Sequence, residues 1–433
     1  MRTLEIRRST LRDAFALFGL IFYMNVIYFF MALDSSNKLR GLQNDSEGNL
    51  VNQVCGLITL VVPLYYFLRK KIYLRKSFYQ ENLILLVFLS TVLLSVFCSY
   101  EPSISLKRFI ALLSTVFFAG FIVYHYKIQQ IAFSVGCMIG LFSLLGFVLA
   151  LVFPEHTFAL EGARQGAFKG IFPEKNAGAR INAIAILLLL PYVYRQNRLA
   201  IVCAFFSLVA VILAKSATGL VLIFAGAASY WYFLTLVKLR INKSRSVFLL
   251  STLVYVLICL FIYANYELFL SALGRDSTLT DRTRIWELLD PSIDANYLTG
   301  YGFGAFWFTP SADYFLQRWG YVGNAHSGYK ETLLNGGIIQ LTALIALFLD
   351  ALLKQYKTIN SSHVTKHHVS ALVIIALMII ANYVAYVIPN YRSTEFLIFC
   401  MLTISFRYRP AVRSASPDQR DMRISPPQDR PIV

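Results

Sequence analysis

The sequence predicts an all-α, polytopic membrane protein, and two observations carry that reading: composition, and the length of the apolar blocks. Of 433 residues, 57% are hydrophobic and 15% charged, with a mean hydropathy of +0.58. A soluble domain carries about 25% charged residues. The apolar residues come in unbroken blocks roughly 20 long, enough to cross a hydrocarbon core of about 30 Å as helix. Unbroken runs exclude a transmembrane β-barrel, whose strands alternate apolar and polar residues.

In chain order the blocks fall at 13–33, 51–68, 82–99, 106–124, 131–153, 177–194, 199–214, 218–237, 247–266, 331–353, 369–388 and 393–406, about twelve spans. The first is long and lacks a small-residue cleavage site, so it is expected to remain as a span rather than leave as a signal peptide. Most connections are short. The exceptions are 34–50, 154–176 and 267–330. The last contains Trp286, Trp307 and Trp319, three of the four tryptophans, and its aromatic content predicts a folded cap of short helices rather than disorder. Residues 1–406 thus form the transmembrane domain with its cap. The tail 407–433, rich in Pro, Ser, Arg and Asp, is expected to be disordered.

The net charge of +17 is not a nucleic-acid footprint. With the N-terminus in the cytoplasm, well over half of the 40 Lys and Arg fall in cytoplasmic segments, among them Arg69 to Arg75, Lys238 to Arg245 and the tail, while most acids fall on the other face. That is the positive-inside pattern, and it places both termini in the cytoplasm. Cys55, Cys98, Cys137, Cys203, Cys259 and Cys400 all lie in apolar blocks and read as small hydrophobes, not disulfides or metal ligands.

Histidine, best placed to exchange protons near neutrality, marks a candidate base. Of six, only His156 and His326 face outward in this topology. His326 sits where the great loop re-enters the membrane. If helix starts there, Lys330 lies one turn away and disfavours the protonated ring; the bland alternative is an interfacial histidine without a role.

Outward-facing cations come next: Arg164, Lys169, Lys175 and Arg180 around the sixth span, with Asn176 one turn before Arg180; Lys215 at a tight turn; Arg282, Arg284 and Lys330 at the great loop. Arginine suits a lipid-linked phosphate or diphosphate because its planar fork donates paired hydrogen bonds. Snorkelling, or pairing with acids such as Asp281 and Glu287, is the competing account. Trp286, Tyr301, Trp307 and Tyr329 are candidate faces for sugar rings, or else interfacial anchors. Asp45 and Glu47 have a D-x-E spacing in the first outer loop, but two acids make a weak metal site, and none is expected to be used.

Four stretches in order resemble the O-antigen ligase superfamily, which includes O-antigen ligases and the polymerases of O-antigen and exopolysaccharide. Gly170-Ile171-Phe172-Pro173-Glu174-Lys175-Asn176 is similar to its G-x-F-x-H-K-N segment, with Glu174 where the family often has His. Ala214-Lys215-Ser216-Ala217-Thr218 is similar to its S-x-T turn. Leu279 to Trp286 with Gly300 to Trp307 resembles the G-R-T-x-I-W and G-Y-G-x-F-W block of exopolysaccharide polymerases, Asp281 replacing Gly. Ala325-His326-Ser327-Gly328-Tyr329 resembles A-H-N-x-Y, Ser327 replacing Asn, and Glu331, Leu334 and Gly337 continue it.

The resemblance implies a GT-C-like, metal-independent, inverting transferase in the bacterial inner membrane, with a periplasmic active site and no cofactor. Its partners would be a polyprenyl (undecaprenyl) diphosphate-linked glycan donor, a glycan or lipid A core acceptor, and membrane lipids. His326 would be the general base and Arg282 would bind the donor diphosphate, joined by Arg180 or Arg164. The polymerase reading stands first and the ligase second. A lipid-glycan transporter is the alternative of another class, and it would expect ionisable residues deep within several spans.

Overall fold

The computed structural model describes residues 2–33, 50–159, 165–264, 280–319, 323–391 and 393–406. These residues are overwhelmingly helical. In order the helices are α1 (Arg2–Tyr23), α2 (Val26–Leu33), α3 (Leu50–Arg69), α4 (Lys76–Phe97), α5 (Pro102–His125), α6 (Ile128–Val152), α7 (Pro154–Thr157), α8 (Lys175–Val193), α9 (Arg198–Leu213), α10 (Ala217–Lys238), α11 (Arg245–Ala264), α12 (Thr280–Ala295), α13 (Asp313–Trp319), α14 (Gly328–Ile359), α15 (Lys366–Val384) and α16 (Thr394–Thr403).

Eight of them, α3, α4, α5, α6, α8, α10, α14 and α15, are long and apolar enough to cross a membrane, and α9, the first part of α11 (Arg245–Leu257) and α16 are shorter apolar helices. Among the described residues the expected count of about twelve is not matched by full-length spans alone. Block 13–33 is one reason: Asn25 adopts φ 61, a left-handed conformation that Asn tolerates better than most residues, and it separates α1 from α2. Block 393–406 contains only the ten residues of α16. Left-handed residues also follow α3, α8, α9 and α10, at Lys71, Gln196, Lys215 and Arg240, where glycine is the commoner terminator.

α8 is the hub of one half, packed by α6, α9, α10 and α15, while α14 packs on α4 and α15, and α5 on α3 and α16. Small residues let the backbones approach, as helices in lipid require: a Cβ on Gly140 of α6 would lie 2.5 Å from the Cys203 carbonyl oxygen of α9. One apolar core runs through the bundle. A second, smaller core joins Ile285, Trp286 and Leu289 of α12 to Phe306, Trp307, Phe315, Ala325 and Leu334, so the described part of the cap has an interior of its own.

The cap is fastened by main-chain bonds. α14 is broken at Gly336 and Gly337, whose φ angles are −147° and 61°. The break frees carbonyls and lets the 297–304 segment lie against it: Ile338 N donates to Tyr297 O (2.8 Å), Tyr301 N to Leu334 O (2.7 Å) and Gly302 N to Asn335 O (3.0 Å). Tyr301 O in turn accepts from Tyr100 N (2.9 Å) in the α4–α5 turn. At Gly302, φ 99, an added Cβ would sit 2.1 Å from Ser99 Oγ, so only glycine fits.

Candidate active site

Four helices begin at the same end of the bundle. The starts of α8 and α10 are joined by a bond from Ser216 Oγ to Asn176 Oδ1 (3.0 Å). Those of α8 and α16 are joined through Arg180 and Glu395. The start of α14 is tied to the chain leaving α15 by Gly328 N donating to Ala385 O (3.0 Å). Glu174, Ser216, Ser327 and Ser393 cap these helices with their side chains. Converging N-termini and their N–H groups favour an anion.

His326 stands just before the Ser327 cap, half-buried, with φ 49. It lies outside helix α14, so the one-turn spacing to Lys330 does not apply, and the Lys330 ammonium pairs instead with Asp290 of α12. The backbone that carries the imidazole is held on every side. Trp286 Nε1 donates to Ala325 O (2.9 Å), Ala325 N to Glu331 Oε2 (2.7 Å), and His326 N to Asn324 Oδ1 (2.9 Å). Trp307 Nε1 donates to the other Glu331 oxygen at 3.2 Å.

Across from this loop, Glu174 caps α8 by accepting from Asn176 N and Ala177 N, both at 3.2 Å. Burial pushes its carboxyl up, but the charge of Arg180, the two amides and the charge of His326 outweigh that and hold it below the usual carboxylate range. The acid at position 174 is thus an electrostatic neighbour of His326. Lys169, half-buried in the preceding loop, has its amine pushed down by burial.

Arg180 is 6% exposed and gripped by Glu395 through Nε to Oε1 (2.7 Å) and Nη2 to Oε2 (3.3 Å); a buried cation needs such a partner. Arg282 Nη1 donates to Val384 O (2.5 Å), one residue before the carbonyl that receives Gly328. The structure therefore brings Arg282, the His326 loop and the end of α15 together. Lys175 is half-buried; Lys215, φ 50, and Arg284 are exposed. Arg164, Asp45 and Glu47 lie outside the described residues.

The aromatic candidates are anchored by their polar tips. Trp286 and Trp307 are 7% and 4% exposed. Tyr301 donates to Ser292 O and Tyr329 to Ile379 O, both at 2.9 Å. Sequence reasoning did not single out three further buried groups at this end. Glu331 and Glu395 are each 2% exposed, and Arg108 of α5 is 7% exposed. Arg108 donates to Gly304 O and lies over the rings of Phe308 and Tyr391 at 5.2 and 5.5 Å. Only Glu331 left a signal, in the motif around His326.

No curated protein matches the chain. A family model described as O-antigen ligase matches residues 199–345, from the start of α9 into α14, and takes in Arg282, the glycine-rich cap segment and His326. The protein is thus a polytopic helical membrane protein whose residues 199–345 are similar to the O-antigen ligase family.

Proposed function

We propose that the protein is a polysaccharide polymerase that transfers a glycan from a polyprenyl diphosphate carrier to a sugar hydroxyl at the periplasmic face of the inner membrane. The observation that carries the reading is the placement of His326: a half-buried imidazole on a braced left-handed backbone, at the end of the bundle where four helix N-termini meet.

In this mechanism neutral His326 takes the proton of the acceptor hydroxyl as the oxygen attacks the anomeric carbon. General-base help of this kind is worth roughly 10²–10⁴-fold. The new glycosidic bond forms with inversion while the bond from that carbon to the diphosphate oxygen breaks. The departing polyprenyl diphosphate gathers charge that fixed donors stabilise. Arg282 is the foremost of these, with Lys175, Asn176, Lys215 and Arg284, and Arg164 from its loop. Arg180, already engaged by Glu395, contributes field rather than a free fork. Glu174 favours the imidazolium formed in the step. Trp286 and Trp307 brace the loop, and Tyr301 and Tyr329 tie the cap and α14 to their neighbours.

A ligase moving the glycan onto lipid A core would use the same groups and differ in acceptor. The transporter reading loses support: Arg108, Arg180, Glu331 and Glu395, buried charged residues, all sit in the first two turns of their helices at this one end. The decisive experiment incubates purified protein with a lipid-linked repeat unit, with and without lipid A core. Longer lipid-linked products mark a polymerase and glycan on core a ligase; the absence of both products would overturn the transferase reading, and full activity in His326→Ala would remove His326 as the base.

A further inference from the structure

Glu331 has no place in the reaction just described, yet it is a fully enclosed acid beside it. Its side chain is 2% exposed, and it reaches back from the first turn of α14 to accept from two N–H groups. Ala325 N donates to Oε2 at 2.7 Å, and Trp307 Nε1 to Oε1 at 3.2 Å and Oε2 at 3.4 Å. Ala325 is fully buried, and its carbonyl accepts from Trp286 Nε1 at 2.9 Å. The peptide groups that precede His326 are thus clamped between α12, the 306–308 turn and α14.

His326 itself holds φ 49, a conformation that costs an L-residue of this kind and persists only where the surroundings impose it. From these contacts we infer that Glu331 is a positioning residue: its carboxylate, bridging Ala325 and Trp307, sets the backbone that aims the His326 imidazole at the acceptor hydroxyl. The inference rests on His326 acting as base, and it adds the device that fixes the base in place. The requirement is for an acceptor on both sides. A glutamine of the same shape offers one carbonyl oxygen and turns an NH₂ toward the other donor, so one of the two N–H groups loses its partner. The loop then relaxes, and a displacement of about 1 Å in a reacting group costs on the order of 10²-fold in rate.

The test uses the full-length purified protein with a lipid-linked glycan donor. Glu331→Gln is expected to lower kcat about 10–100-fold, with KM for the donor changed by less than about twofold. Trp307→Phe, which removes only the indole N–H, is expected to fall in the same direction by less. A purely structural role is separated by a double-mutant cycle: combined with His326→Ala, Glu331→Gln adds no further loss if it acts through the imidazole, and multiplies the loss if it does not. Where Glu331→Gln does not fold, Trp307→Phe and Trp286→Phe run through the same cycle. Normal turnover in Glu331→Gln, or full multiplication in the cycle, overturns the inference. Normal turnover in His326→Ala instead overturns the base assignment, whatever Glu331 does.

Discussion

Arg180 and Glu395 are separated by 215 residues and meet at 2.7 Å with both side chains nearly dry. Removing one partner strands the other, which costs about 3–5 kcal/mol. Glu395→Ala is therefore expected to lower the thermal midpoint sharply, and Arg180→Met with Glu395→Leu together to recover most of the loss; a melting series in detergent measures both. Arg282 is a different case, half-buried with a bond to a backbone carbonyl. Both Arg282→Ala and Arg282→Lys should impair transfer, since an ammonium cannot reproduce the planar fork, and a fully active lysine variant would reduce Arg282 to a point charge. Glu174 gives a pH signature. Its folded-state value lies below the 4.5 of an unperturbed glutamate, so it adds stability above about pH 4.5 that fades as the pH falls through the folded value. Glu174→Gln is expected to leave neutral stability lower and to flatten the acid side of a stability–pH curve. The residue types were legible in the sequence, but their partners were not. Nothing near Arg180 in the chain announces Glu395, and a tryptophan's composition does not say which way its N–H points.

The apolar blocks located the helices because twenty apolar residues have few other fates, and their ends were approximate where the terminator was an ordinary residue. Asn25 splits the first block without a Gly or Pro to mark it. The break in α14 is different, since Gly336 and Gly337 were visible as a pair inside an apolar run. What the pair is for emerges only from its neighbour. A Cβ on Gly337 would stand 2.3 Å from the Leu298 carbonyl group at φ 61, so backbone strain of about 1–2 kcal/mol adds to a clash with main chain. Gly337→Ala is expected to destabilise the protein by at least about 2 kcal/mol. A larger substitution elsewhere on α14, such as Ile339→Phe on an exposed position, should be tolerated in a lipid environment. Comparing their melting midpoints checks the claim.

Across the whole molecule, charge asymmetry and helix starts point the same way. On the proposed topology, the end that gathers Glu174, Arg180, Arg282 and His326 is the one expected to face outward from the positive-inside pattern. Membrane-impermeant labelling of single cysteines is expected to reach positions 215 and 284 from the periplasm and positions 71 and 240 only from the cytoplasm. The proposed chemistry is expected to proceed in EDTA, and loss of activity restored by Mg²⁺ would return Asp45 and Glu47 to consideration. The peptide group of Tyr301 spans from the α14 break to the α4–α5 turn, which makes the stretch between those anchors a splice rather than an appendage. Attempts to re-tool the enzyme for other sugars by exchanging whole loops would cut that splice and slacken the hold on His326. Grafts that leave 297–308 untouched and vary the surface around it have the better prospect of yielding a working hybrid.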